Sequence, residues 1–515
     1  MRTTRRVIIV AAGAISLSVA VAAGAAPFSW ADTVTPAWPA AQGMTTGVRL
    51  PGAGDASAIG VAGQAGSWGR AIEVPGLGAL NKGGNGDLTA DITEMSCASA
   101  GNCAAVGYYA DRHHHRQGFV AVERHGRWGT AIEVPGLAAL NTGGTAGSSA
   151  AVSSVSCASA GNCAAGGYYT NRHHHTQGFV AVERHGRWGK AIKVPGLGAL
   201  NKGDAGVSSV SCASAGNCAA GGLYADRRGH LQMFAASQRH GRWGKAIEVP
   251  GLGALNTGDA SWDASVTEVS CASAGNCAAG GFYTDQAGNT QGFVASERHG
   301  RWGKVIEVPG LGALNSGGGA GVFSVSCGAA GSCAAVGDYI DGGGSGQGFV
   351  ADERHGRWRK AIEVPGLAAL GYENADVESV SCASAGNCAA VGYGDPYGDG
   401  FAVSEKNGRW GKAIDVAGGG RFAGLNSVSC ASPGNCAAGG FYSNDSGDIV
   451  QGLVAVERHG RWRDQIDVPG LRALNRGADA AVTSVSCPPA GGCAAGGYYY
   501  DRHGHFQVFV VSQTG

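Results

Sequence analysis

The sequence predicts an all-β fold, an eight-bladed β-propeller of four-stranded blades, on three observations. One unit of about 56 residues recurs along the chain. Every copy carries two cysteines at the same Cys-x5-Cys spacing, and the chain begins and stops on complementary fractions of the unit. The fullest copy reads Val-Ser-Ser-Val-Ser-Cys-Ala-Ser-Ala-Gly-Asn-Cys-Ala-Ala-Gly-Gly-Tyr-Tyr over 152–169. A polar loop follows, then Gln-Gly-Phe-Val-Ala-Val-Glu-Arg-His-Gly-Arg-Trp-Gly-Lys-Ala-Ile over 177–192 and Val-Pro-Gly-Leu over 194–197. A period of this length also suits helical repeats, but the unit is rich in Gly, Ser, Val and Tyr and has no 3.6-residue apolar stripe.

Four short strands fit the unit. The first two fall at about 153–157 and 163–169, joined by the turn 159–162, so that Cys157 and Cys163 staple a hairpin. Closing so small a loop contributes about 2 kcal/mol in the chain-entropy view. The third and fourth strands fall at about 177–184 and 188–194. His185-Gly186 turns between them, and one copy has Asn407-Gly408 there; both pairs suit a two-residue hairpin needing positive φ. Small residues in strands one and two suit crowding near an axis, and Trp188, Lys190 and Ile192 suit a wider rim. At the ends, 67–74 is a lone fourth strand, and 509–515 stops where a fourth strand is due. The N-terminal strand therefore closes the last blade, leaving no open sheet edge. Trp68, Trp128, Trp188, Trp243, Trp302, Trp358, Trp410 and Trp462 count eight blades.

The cysteines pair as Cys97 with Cys103, Cys157 with Cys163, Cys212 with Cys218, Cys271 with Cys277, Cys327 with Cys333, Cys382 with Cys388, Cys430 with Cys436, and Cys487 with Cys493. An even count at fixed spacing reads as disulfides, whereas a structural metal site needs four ligands in CxxC-like clusters. Export agrees with that reading. Arg2, Arg5 and Arg6 precede an uncharged run from Val7 to Ala26, and Ser29-Trp30-Ala31 offers a small-x-small cleavage site. Residues 1–31 are expected to be a signal peptide, 32–57 a Gly/Ala/Pro-rich linker, and 58–515 a single propeller domain. An uncleaved anchor is the alternative for the first segment. The expected location is secreted or extracellular, with association at a cell surface open.

The Gly-Gly doublets ending strand two (Gly166-Gly167, Gly221-Gly222, Gly280-Gly281, Gly439-Gly440, Gly496-Gly497), with an aromatic in strand three and Trp in strand four, resemble kelch-type propeller repeats. Val106, Val336 and Val391 depart from the doublet. The Glu-Arg-His-Gly-Arg-Trp turn distantly resembles the Asp-box of sialidase-type propellers. It lacks that motif's Ser/Thr and Asp positions, so sialidase chemistry is not implied. As a whole, 58–515 resembles secreted bacterial propeller-repeat proteins, a resemblance that brings no catalytic motif.

Composition narrows the function classes. Among 515 residues, Lys+Arg 38 balances Asp+Glu 38, charged residues are 15% and hydrophobic residues 44%. The balance gives no pointer to nucleic acid or an anionic membrane, and the apolar content argues against disorder. In a propeller the loops after strands two and four share one face, and these vary here, so that face is where a ligand is expected. Asp111, Asn171, Asp226, Asp285, Asp341, Asn444 and Asp501 recur after strand two and are expected to cap turns through their own backbone. His113, His114 and His115, His173, His174 and His175, and His503 with His505 occupy one loop position in three blades adjacent around the closure. They read as solvated loops, with a divalent metal as the alternative.

Residues that break the repeat are the ligand candidates: Trp262, Asp263, Tyr372, Glu373, Tyr397 and Arg421. Trp262 and Tyr397 suit stacking on a sugar ring, and Asp263 suits its hydroxyls. No nucleophile-elbow, zincin, P-loop or calcium-loop motif is present. The reading is an extracellular, monomeric, non-catalytic binding or scaffold propeller for a glycan or protein, without nucleic acid and without a required cofactor. The alternative is a secreted carbohydrate-active hydrolase or lyase with a site in the central pocket.

Overall fold

The computed structural model describes residues 67–83, 90–143, 149–258, 264–395, 398–417, 422–444, 449–463 and 465–514. The expected signal and linker segments lie outside them. Eight antiparallel sheets form the blades of one closed propeller. In the second blade the strands are Ala150–Ser159, Asn162–Thr170 and Thr176–Arg184, then an outer strand in two pieces, Arg187–Trp188 and Ile192–Lys193. The inner three run a residue or more beyond the expected bounds at one or both ends. The outer strand is broken because Ala191 leaves its own sheet: its N–H donates to Pro135 O of the preceding blade at 2.7 Å. Equivalent bonds of 2.7–2.8 Å join residues 71, 131, 246, 305, 361 and 413 to the preceding Pro-Gly turn. From sequence alone that turn is no more than a recurring Pro-Gly. Its glycine adopts φ of about +77° and starts a four-residue helical turn, Leu197–Leu200, whose Leu197 is buried.

The seam closes as the sequence implies. Ser67 and Trp68 pair with Thr514 and Gln513, and Ile72 and Glu73 pair with Val510 and Phe509.

All eight cysteine pairs are disulfides, with Cα–Cα separations of 3.9–4.1 Å. In seven blades the bridge joins directly opposed residues of the inner hairpin: Cys97 and Cys103, Cys157 and Cys163, Cys212 and Cys218, Cys271 and Cys277, Cys327 and Cys333, Cys382 and Cys388, Cys430 and Cys436. The last blade differs. Its inner strands are Ala480–Ser486 and Ala494–Tyr500, so Cys487 and Cys493 bridge one residue beyond the ladder, where Pro488 and Pro489 replace the Ala-Ser of six other turns and the Gly328-Ala329 of the fifth. Proline cannot donate to a ladder, which ends the pairing there. The second cysteine of each pair is the more deeply placed: Cys103, Cys333, Cys388, Cys436 and Cys493 are 2–6% exposed.

Each inner strand carries a bulge two residues after its start, as between Val152 and Ser154. Opposite it sits the second glycine of the doublet. A Cβ on Gly167 would lie 2.0 Å from Ala151 O, and Gly107, Gly337 and Gly392 meet the same obstacle. The first glycine faces chiefly side chains of the next blade, such as Val207 against Gly166. Valine can therefore replace it at 106, 336 and 391, but nothing replaces the second.

Beyond the bulge, two side chains per blade reach the next blade's backbone. Ser154 Oγ accepts the Val210 N–H at 2.8 Å and Ser156 Oγ accepts that of Cys212 at 2.9 Å. Two residues apart on a strand, they share one face. The first bond recurs in all eight blades at 2.8–3.2 Å, with Glu94 and Glu268 replacing serine in two. The second recurs in all eight at 2.8–3.0 Å. Between the blades, apolar clusters pack one sheet on the next, with Phe119, Phe179, Phe234, Phe293 and Phe349 wholly buried.

Two consequences are measurable. Ser154→Ala strands the buried Val210 N–H and should lower stability by about 1–3 kcal/mol in chemical unfolding; no change would mean the ring bonds are idle. A chain starting at residue 77 leaves the last blade three-stranded and should aggregate. Equal solubility and heat stability of that truncation would contradict closure by the N-terminal strand.

Candidate binding faces

On the loop face, the recurring Asp and Asn residues cap turns. Asp111 Oδ1 accepts the N–H of His113 at 2.7 Å and of His115 at 3.0 Å. Asn171, Asp226, Asp285, Asp341 and Asp501 do the same in their blades. The histidines follow from this geometry. His114 sits at φ 60° with Nδ1 2.6 Å from Gly83 O. His113 Nε2 accepts from Arg112 Nε at 3.0 Å, and His115 lies 3.7 Å from Asp111. His173 and His503 accept from Arg172 and Arg502 in the same way, and His174 takes the same turn conformation as His114. His175 lies 3.8 Å from Asp204, and His505 3.8 Å from Asp501. Each imidazole is thus turned to its own surroundings. Among the described residues no group of three or more His, Cys, Asp or Glu is gathered as an ion's ligands.

The cysteines bring no thiol to either face, since among the described residues none is free. Cys103, Cys333, Cys388, Cys436 and Cys493 are structural staples inside the hairpins, not members of a site. Cys218, Cys271 and Cys277 differ only in lining a cleft between the third and fourth blades.

Trp262, Asp263, Tyr397 and Arg421 lie outside the described residues. Tyr372 is described, and it restores the repeat. Tyr109, Tyr224, Tyr283, Tyr339 and Tyr499 each donate to a rim glutamate, as Tyr109 does to Glu133 at 3.0 Å. The sixth blade has Gly394 at that position, and the Tyr372 ring fills the space where its side chain would stand. Tyr372 then donates to the Asp415 carboxylate. Glu373 is exposed beside Asp395, whose backbone O accepts the Glu373 N–H at 2.8 Å.

The side chains that break the symmetry inside the molecule are ones the loop-centred reading missed. At the loop-face end of the axis, Asp91 and Tyr108 are cross-strand partners, 7% and 1% exposed. Asp91 Oδ1 and the Tyr108 hydroxyl are buried without a hydrogen-bond partner. The Arg116 guanidinium stacks over the Tyr108 ring at 4.2 Å. Burial pushes the Asp91 carboxyl up to about 7 against the opposing pull of the Ile92 N–H and of Arg116. Across the axis, Asp338 and Asp376 are hydrogen-bonded to each other with Glu378 nearby. Burial raises all three; the charge of Asp376 adds to it at Asp338 and Glu378, whereas Asp376 itself is pushed further by Asp395 and pulled back by hydrogen bonds with Tyr393 and Asp338. The signal was present in the repeat: Asp91 and Asp376 stand where other blades have Ala, Gly or Ser, and Glu94, Glu268 and Glu378 where most have Ser or Thr.

The opposite face is built from the Ser-Ala-Gly-Asn turns, which carry no charge, and the His-Gly turns. His125 and Gly126 take φ 49° and 74°, the paired positive values of the tight hairpin. On either side Arg124 and Arg127 are cross-strand partners. The same pairing of two cations recurs at 184/187, 239/242, 298/301, 354/357, 406/409 and 458/461. The glutamates that precede them are buried, Glu123 and Glu183 at 1%. Zero net charge therefore hides a segregated surface, cationic on this face, with Glu133, Glu248, Glu307 and Glu363 on the rim.

No protein-family model matches this sequence, and no curated protein matches it. Among solved structures, the chain is similar to Chaetomium thermophilum Sqt1 bound to the N-terminus of ribosomal protein L10, at 11% identity over 83% of this chain and 98% of that one, TM-score 0.45. It is similar to the PL25 ulvan lyase bound to -[GlcA(1-4)Rha3S]-, at 10% identity over 79% and 95%, TM-score 0.40. The Hadza microbial sialidase Hz136 matches at 8% identity over 67% and 68%, TM-score 0.36. Likeness of this degree carries no functional argument.

The inner-strand acids give a pH dependence. Burial raises Glu94 from 4.5 to about 8 and Glu268 from 4.5 to about 7. The folded state thus keeps protons that the unfolded chain releases, so stability falls as pH rises from 4.5 to about 8. Glu94→Gln keeps an acceptor for the Val155 N–H and should flatten that fall in thermal unfolding. A variant whose midpoint tracks wild type across the range would disprove it.

Proposed function

We propose that this protein is an exported, monomeric, non-catalytic binding propeller whose loop face takes a glycan at the axial mouth. The observation that carries the reading is the Asp91–Tyr108 pair: a carboxylate oxygen and a hydroxyl, buried without partners beside the Arg116 guanidinium. Unmet polar groups at the end of the axis suit the hydroxyls of a sugar, and an aromatic ring under a cation adds an apolar surface beside them. Eight hairpin disulfides suit an oxidising compartment. Among the described residues no helix is long and apolar enough to cross a membrane.

A second reading, a carbohydrate-active enzyme, is favoured by one observation, the hydrogen-bonded Asp338–Asp376 pair at the same mouth. Such a pair holds one proton between two carboxyls, the arrangement an acid and a base require.

The test is retention of the chain from residue 32 on neutral and charged cell-wall and plant polysaccharides, with and without chelator, while reducing ends are followed in the same wells. Retention on a neutral polysaccharide without product, weakened about tenfold by Asp91→Asn or Tyr108→Phe, is the expected result. Product release abolished by Asp376→Asn would establish the enzyme instead. Loss of retention on chelation would assign the histidine loops to a metal.

A further inference from the structure

The turn face carries a feature that the fold does not require. Cross-strand pairs of like charge are unfavourable, yet seven blades repeat one at the exposed Arg–His–Gly–Arg turn. The first cation of the pair has structural work in several blades. Arg124 donates to Glu183 of the next blade at 3.1 Å, Arg298 to Glu353 at 3.3 Å and Arg354 to Glu405 at 3.1 Å. The second, Arg127, Arg187, Arg242, Arg301, Arg357, Arg409 and Arg461, is exposed in all seven.

Two blades depart from the others. Six carry a buried glutamate before the turn, whereas the third carries Gln238 and the eighth Gln513, whose amide oxygen accepts the Cys493 N–H at 3.1 Å. Gln238 is 2% exposed, and neither its amide nitrogen nor its amide oxygen has a partner. Arg184 of the second blade, denied a carboxylate there, bonds only the Gly241 carbonyl. Gln238 lines a cleft of about 470 Å³ between the third and fourth blades, together with Arg239, His240, His299 and Glu297. The Glu297 carboxyl accepts from the Ser237 hydroxyl at 3.2 Å; burial raises it, while that bond and the charge of Arg239 pull it back. A second cavity, about 440 Å³, runs beside Arg184, Arg187, Trp188 and Lys190.

We propose that the turn face is a second binding surface, for an acidic polysaccharide, with one carboxylate group seated in the cleft on Gln238 and Arg239. Arginine forks and an unpartnered amide donor match a planar carboxylate. Half-buried tryptophans beside the arginines, such as Trp188, offer apolar faces to sugar rings. The chemistry does not suit the other polyanions. The rings exposed on this face are the turn histidines, and no Phe, Tyr or Trp among its described residues is exposed for stacking on successive bases. The exposed large hydrophobics are isoleucines, eight of them on the outer strands and none in the turn tips that would meet a bilayer.

The test uses polygalacturonate as probe, with neutral dextran, duplex DNA and phosphatidylglycerol vesicles as comparison arms. Wild type should bind polygalacturonate, release it as salt rises, and leave dextran unbound. Gln238→Glu installs the residue that six other blades already carry, so the chain should fold with an unchanged midpoint and bind about tenfold more weakly. A quadruple variant, R127Q/R187Q/R301Q/R409Q, should lose binding, while Asp91→Asn on the far face should leave it intact. Unchanged affinity in Gln238→Glu, or loss in Asp91→Asn, would overturn the proposal. So would tighter binding to DNA or vesicles than to polygalacturonate.

Discussion

The structure rests on side chains that bond the backbone of the next blade. An inner strand has no strand neighbour on its axial side, so its outward N–H groups need acceptors from outside its own sheet. The acceptors from Ser154 and Ser156, and their counterparts in the other seven blades, supply those bonds and link each blade to the next in two closed rings. A ring has no terminal member: Ser484 and Ser486 pass the bonds on to Met95 and Cys97 across the seam. At the rim the Pro-Gly turns repeat the device with backbone groups alone. Blades are thus fastened at two radii, with an apolar layer between.

This fastening explains several features that look unrelated. The bulge places both acceptors on the face toward the next blade, and the invariant second glycine makes room for the bulge. The disulfides staple the same hairpins just past the second ring, where Cys157 is itself the donor to Ser96. Acids can enter the inner ring because Glu94 and Glu268 still supply an acceptor, at the expense of a burial that raises their carboxyls. The same rigidity leaves the two faces free to diverge: the loop face varies in length and charge, and the turn face repeats its cations with little change.

The two faces also explain why the balanced charge was a poor guide. Cations and acids are equal in number but not mixed in space. The turn-face glutamates are buried beside their arginines, and other described acids lie on the rim, in the loop-face turns and around the axial mouth, so what solvent meets at the turns is largely positive. A sum over the chain has no coordinate along which this can be read.

The repeat by itself determined the blade number, the strand order, the seam and the disulfide pairing. Each of these follows from local period and from what a fraction of a unit must pair with. It also contained the departures that matter, Asp91, Asp338, Asp376 and Gln238 among them, as substitutions at otherwise regular positions. Only the tertiary structure decided their meaning. Tyr372 breaks the sequence pattern yet restores the packing, because the place it fills belongs to a glycine 22 positions further along the chain. Gln238 differs from glutamate by one group, and becomes significant because it faces the next blade across a cleft. Neighbourhood between blades is set by closure of the ring, a long-range constraint that no local pattern encodes.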